Sequence, residues 1–142
     1  MRVQAIRRFD LRLIASAIAV LIATVQPVKA AGTIACETTE SEPSAKVDIV
    51  VGQLPALIPI SVRVGVGERI WATSEGEAGE AVKILQAFDD GRILMIDLAD
   101  ENVETVLFSI RLVRAAEGRD LAHVGTLIAT GIGAYALICV GP

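Results

Sequence analysis

Residues Val82–Leu98 read VKILQAFDDGRILMIDL. Two apolar runs flank Asp89-Asp90-Gly91, and that spacing predicts a β-hairpin. A three-residue hairpin loop needs a type I turn followed by a residue at positive φ, which Gly91 supplies without a Cβ clash. The implied register sets Phe88 against Arg92, Ile84 against Ile96 and Val82 against Leu98 on one face. On the other, Leu85 meets Met95 and Lys83 lies opposite Asp97. A cross-strand ion pair at the open end, with apolar pairs inside, favours this register over a one-residue slip. Such a hairpin argues for a β-rich fold and says nothing about chemistry.

Upstream of it, Ile60–Val66 alternates cleanly, with Ile60, Val62, Val64 and Val66 against Ser61, Arg63 and Gly65. Lys46–Val51 alternates in the same way, and Arg69–Thr73, carrying Trp71, is a third short strand. Between the first two, Gly52–Pro59 holds Pro55 and Pro59. Neither can donate to a ladder, so the segment is a crossing or an edge. Ala31–Ala45 is polar, and Glu37–Ser44 has turn composition, so it reads as a loop. Gly67-Glu68 is a turn, and Ser74–Glu80 an acidic, glycine-punctuated loop.

Downstream, Val103–Arg114 fits two periods. Val103, Val106, Leu107, Ile110 and Val113 match a helix; Val106, Phe108, Ile110 and Leu112 match a strand. Its β-branched and aromatic content selects the strand. Val124–Gly141 carries no charge for eighteen residues, which is long enough for a membrane helix. Gly131-Ile132-Gly133 at its middle and the absence of a basic anchor select a fully buried hairpin instead, Gly125–Thr130 with Ala134–Val140.

Residues 1–30 stand apart from the fold. Arg2, Arg7, Arg8 and Arg12 form a basic n-region, Leu13–Val25 an apolar h-region too short for a comfortable span, and Val28-Lys29-Ala30 a cleavage site. The reading is a signal peptide for the general export route, with a mature domain at 31–142 in the periplasm or outside the cell; the alternatives are a twin-arginine signal and an uncleaved anchor. The signal holds five of the thirteen basic residues and one of the seventeen acidic ones, which leaves eight against sixteen, a net of −8. A domain so acidic repels nucleic acid and anionic lipid, and favours a basic partner.

The two cysteines, Cys36 and Cys139, lie near opposite ends of the mature chain. In an oxidising compartment they read as one disulfide; two free buried thiols are the alternative. With one histidine they are too few for structural zinc.

No polar constellation points to catalysis or to a cofactor. Asp97, Asp100, Glu101, Asn102 and Glu104 have oxygen ligands for a calcium ion but not the spacing of an EF-hand, and a solvated acidic loop accounts for them. Carboxylates are too frequent for any two to identify a glycosidase pair. His123 with Ser74 or Ser109 lacks a nucleophile elbow, so a hydrogen-bonded or rim histidine is the better account. Gly65-Val66-Gly67 lacks the third glycine of a phosphate loop. Trp71 is either a core anchor or an interface aromatic beside Arg69.

These observations define an all-β domain, a small antiparallel β-sandwich or barrel of about seven strands behind a signal peptide, without stable membrane insertion of the mature chain. In size, compartment and architecture it is similar to the periplasmic lysozyme inhibitors. Their characteristic loop is not visible here, so the resemblance carries over no residues. The expected function is a non-catalytic binding module for a basic protein, with inhibition one form of it. The surface expected to carry it is Trp71 with Glu75, Glu77, Glu80, Asp100, Glu101 and Glu104. The alternatives are an envelope-associated subunit pairing through strand edges, and a small hydrolase.

Overall fold

The structure is a computed structural model and describes residues 31–39, 42–53, 57–118 and 120–141. The signal-peptide reading of 1–30 and the expectation at Pro55 lie outside these residues. Ten strands follow in order: β1 (Gly32–Glu37), β2 (Ala45–Gln53), β3 (Leu57–Val66), β4 (Arg69–Ala72), β5 (Glu80–Ala81), β6 (Lys83–Asp89), β7 (Ile93–Ala99), β8 (Val106–Glu117), β9 (Asp120–Ala129) and β10 (Gly133–Val140). They form one sheet, ordered β5-β4-β3-β2-β1-β10-β9-β8-β7-β6. Every pairing is antiparallel except β4 with β5. The sheet curls until β3 and β6 come within 8 Å, Cα to Cα, giving a nearly closed barrel and not a sandwich.

The period of two explains the barrel. Along β2, Val47, Ile49 and Val51 point inward and are fully buried, while Lys46 and Asp48 face solvent. Ile34, Val64, Ile96, Ile110 and Leu127 do the same on their strands and join one core. Register carries a single belt of inward residues across seven strands: Trp71 faces Val64, Val64 faces Val47, Val47 faces Cys36, Cys36 faces Cys139, Cys139 faces His123 and His123 faces Arg114. The only tryptophan and the only histidine of the chain therefore line the same interior belt as the disulfide.

Cys36 and Cys139 are bonded, with Cα atoms 3.9 Å apart. They are cross-strand partners on β1 and β10, so the bridge staples two strands that are neighbours in the middle of the sheet order though far apart in sequence.

Several sequence expectations change. The strands number ten, not seven. β1 lies where the sequence, read as polar ahead of a Glu37–Ser44 loop, showed no strand, because Gly32, Thr33 and Ala35 hide the inward pair Ile34 and Cys36; ladders to β2 and β10 hold it on both sides. The central hairpin exists in a different register. Lys83 faces Ala99 and not Asp97, Ile84 faces Leu98 and not Ile96, and Phe88 faces Met95 and not Arg92. Two local features shift it. Between paired Asp89 and Leu94 the tip is four residues, with the Asp90 carboxylate accepting the N–H groups of Arg92 and Ile93 at 2.8 and 2.7 Å. The register also breaks at Leu85, between Ile84 and Gln86. Val82 leaves the hairpin and donates its N–H to Ala72 O at 3.0 Å.

The 103–114 segment is a strand, β8, beginning at Val106. Residues 124–141 form the β9–β10 hairpin, and among the described residues no helix is long and apolar enough to cross a membrane. That hairpin is not buried on both faces. Leu127, Leu137 and Cys139 point inward, while Val124, Ile128, Ile138 and Val140 stand exposed on the outer wall. An uncharged run marks the absence of charge there and not burial.

Candidate functional site

Trp71 takes the core of its two possible places. It is 3% exposed, meets Phe108 edge to face at 4.9 Å between ring centroids, and lies under the Arg69 guanidinium at 4.5 Å. Its indole N–H donates to Glu80 Oε2 at 3.1 Å. Glu80 also accepts from Arg69 at 2.8 Å, and that contact holds its carboxyl below the usual range. Neither ring nor carboxylate is idle: β5 is fastened to β4 by them.

The alternation of antiparallel strands sets the connections β1–β2, β3–β4, β7–β8 and β9–β10 at one end of the barrel. Exposed Glu42, Glu68, Glu101 and Glu104 and half-buried Asp100 lie in them, and none of the four connections contains Lys or Arg. Thr73–Gly79, between β4 and β5, adds exposed Glu75 and Glu77, again without a base. The two acidic loops expected from the sequence are placed differently: Lys83 at the start of β6 pairs with Ala99, the residue before Asp100, whereas Glu77 and Ala78 line a hollow on the outer wall with Asp48, Val50, Ser61 and Arg63. Asp100 is engaged internally. Its Oδ1 accepts the N–H groups of Glu104 and Thr105 at 2.8 and 3.0 Å, and these bonds lower its pKa. Glu75, Glu77, Glu101 and Glu104 have no ion-pair partner among the described residues. No three of His, Cys, Asp or Glu gather there into a metal-binding group, among the described residues.

The second feature is the seam. β4 ends at Ala72, and Thr73 extends it by one exchange with Val62: N–H to Val62 O at 3.0 Å, and Val62 N–H to the Thr73 hydroxyl at 2.9 Å. β3 continues to Leu57. From Leu57 to Ser61 it keeps β2 on one side and has no ladder on the other. β6 is laddered to β7 alone. The two strands abut without backbone pairing, and Ile58, Ile60, Leu85 and Phe88, each about half exposed, flank the slot. Sequence reasoning made Gly52–Pro59 a crossing or an edge. It could not find the slot, because the slot depends on where β4 stops.

At the foot of the seam four strands meet through charged and polar groups. Leu57 N–H donates to Asp89 Oδ2 at 2.7 Å. Asp89 Oδ1 lies 3.5 Å from Arg114 Nη2. Arg114 Nη1 donates to Gly91 O at 3.4 Å, and its Nε donates to His123 Nε2 at 3.1 Å. His123 is 1% exposed. As Nε2 accepts, Nδ1 carries the proton, and Nδ1 has no hydrogen-bond partner among the described residues. Burial pushes the imidazole below its usual range; the Arg114 charge adds to this, and the Asp89 charge opposes it. Ser109, one of the two serines considered for a triad, faces Asp97 and Ile128 on the outer wall, across the sheet from His123.

In comparisons with protein-family models, characterised proteins and solved structures, nothing matches this chain.

Proposed function

We propose that the protein is a non-catalytic binding module whose acidic end receives a basic partner protein. The supporting observation is the segregation of charge: the connections at one end of the barrel carry carboxylates and no base, and Glu75, Glu77, Glu101 and Glu104 have no ion-pair partner among the described residues. Rim charges of this kind act chiefly on the rate of encounter. Among the described residues, the inward side chains of Phe108, Trp71, Ile34 and Leu127 belong to one apolar core. The disulfide is compatible with an exported protein, and we place the module in the periplasm or outside the cell.

The test uses a small cationic protein, lysozyme in the first instance, and measures association at 0.1 M and 1 M salt. The Debye length falls from about 10 Å to about 3 Å between these conditions. Slower association at high salt, and after neutralising Glu75, Glu77, Glu101 and Glu104 together, supports the reading. A rate indifferent to both overturns it.

The seam favours a second reading, a subunit that pairs through strand edges. Leu57–Ser61 and β6 present unpaired backbone beside exposed Ile58, Ile60, Leu85 and Phe88, and such edges template pairing with another chain. Introducing Pro at Ala87 on β6 would block pairing there. Unchanged assembly in that variant argues against the edge.

A further inference from the structure

The His123 cluster does more than satisfy buried polar groups. Its members come from β9, β8, β6 and β3, and its last link, Leu57 N–H to Asp89 Oδ2, is a hydrogen bond across a seam that has no ladder. The bond that starts the chain, Arg114 Nε–H to His123 Nε2, exists only while the imidazole is neutral. A proton on Nε2 would set two donors and two positive charges face to face at 3.1 Å, inside the barrel. The charged groups facing the ring are Arg114 from β8 and Asp89 from β6. β10 and β1 present the Cys36–Cys139 disulfide to it, which does not titrate.

We propose that His123 is a proton-operated latch on the barrel seam: protonating its ring drives Arg114 away, the Asp89 carboxylate follows one cation or the other, and Leu57 is released, so that the edges of β3 and β6 part.

Three observations support this beyond the ring itself. Among the described residues, the seam is a junction of the barrel wall that a side chain closes in place of a ladder. The Asp89 side chain is 2% exposed, so it cannot exchange Arg114 for water without moving. The strands on either side carry exposed apolar side chains, so parting them uncovers a surface suited to an extended chain. The latch adds a condition to the edge-pairing reading above without depending on it, because its test reads closure and not partner binding.

The experiment is hydrogen exchange on the protein, read as protection factors so that the intrinsic pH dependence of exchange cancels. A ring that titrates in the open state near its ordinary value and stays neutral in the closed state makes opening up to about 25-fold more frequent at pH 5 than at pH 7. The expected result is a loss of protection of that order at the Leu57 amide, with the β1–β2 ladder amides unchanged. In His123→Gln the Leu57 amide should not respond to pH. A Leu57 protection factor constant across this window overturns the latch. So does a loss shared equally by β1–β2, or one retained in His123→Gln. If His123→Gln does not fold, the wild-type pH profile, with the imidazole followed by NMR, decides. If the latch holds, wild-type Leu57 protection is flat above about pH 7 and falls up to about tenfold per pH unit below it, as uptake of one proton on opening requires, with the ring still neutral in the closed majority; a fall that continues above about pH 7 overturns the proposal.

Discussion

Arg111 holds Asp97 on the outer wall of the barrel, Nη1 to Oδ1 at 2.7 Å, while the same nitrogen donates to the carbonyls of Ile110 and Ile96 at 2.8 and 3.2 Å. The Asp97 side chain is 7% exposed although it faces outward, because Gln86 and Ser109 flank it across the ladders and the Gln86 amide donates to its other oxygen. Removing the cation strands a carboxylate that water barely reaches. Arg111→Ala is expected to cost about 2–3 kcal/mol, and Asp97→Asn about 1 kcal/mol, in urea melts at neutral pH. Equal costs would mean that the pair acts through packing alone.

The same pair sets an acid limb. Arg111 first, then Gln86 and Ser109, lower the Asp97 pKa from 3.8 to about 2. A carboxylate depressed on folding contributes stability that is fully present above its unfolded pKa and is lost as pH falls through the folded value. The contribution is about 2 kcal/mol, lost between pH 4 and about pH 2. Urea midpoints measured down this range should fall less steeply for Asp97→Asn than for the wild type.

Reduction of the disulfide should lower the melting temperature. Cys36 and Cys139 are 103 positions apart, and closing so long a loop is worth up to about 4.7 kcal/mol in the chain-entropy account. The β1–β10 ladder survives reduction, so the reduced protein should remain folded at low temperature, with near-native far-UV circular dichroism.

Gly125 is required by distance. A Cβ at this position would fall inside the Arg111 carbonyl group, with Leu112 Cα at 2.9 Å. Both atoms belong to the neighbouring backbone and cannot swing aside. Gly125→Ala should cost more than about 3 kcal/mol or abolish folding, whereas Gly118→Ala, with no atom within 4 Å and a φ of +64°, should cost only about 1 kcal/mol. Soluble yield and thermal melts of the two variants check the contrast.

Val103 adopts a φ of +62°, which a β-branched residue disfavours. Its N–H bonds Asp100 O at 3.0 Å, in the loop that the Asp100 carboxylate caps. Val103→Gly should therefore stabilise the protein by about 0.5–1 kcal/mol, an unusual sign for a mutation to glycine. Destabilisation would show that the exposed valine side chain makes a contact worth more than the strain.

The sequence made most of the wall legible, and the reason is the period of two. Val47, Ile49, Val62 and Val64 alternate with polar residues, and each proves to be an inward position. The pairing of Cys36 with Cys139 was readable from compartment and placement. The hairpin register was not, because it depends on Asp89 turning inward to Arg114 and Leu57, residues 25 and 32 positions away. Lys83 opposite Asp97 looked like a natural ion pair, yet Arg111 from the next strand takes that carboxylate. Trp71 beside Arg69 carried the composition of an interface, and the same cation covers a buried ring. Local pattern identifies which face of a strand is inside; it does not identify which strand stops early, and the slot at the seam follows from β4 ending at Ala72.

The adjacency of β1 and β10 also orders events in time. In a chain made from its N-terminus, Cys36 appears 103 positions before Cys139. β1 must wait, with one edge bare, until β10 arrives beside it. Pairing of this sequence separation is slow to form, and a bare edge is exposed to wrong partners meanwhile. The outward side of β1 is Thr33, Ala35 and Glu37, small or charged and weakly adhesive, and the strand is six residues long. A short, unsticky first strand is what a barrel with this topology needs while it stands unfinished. Lengthening β1 or making Thr33 and Ala35 bulky and apolar should leave the finished barrel intact and lower the yield of correctly sealed molecules.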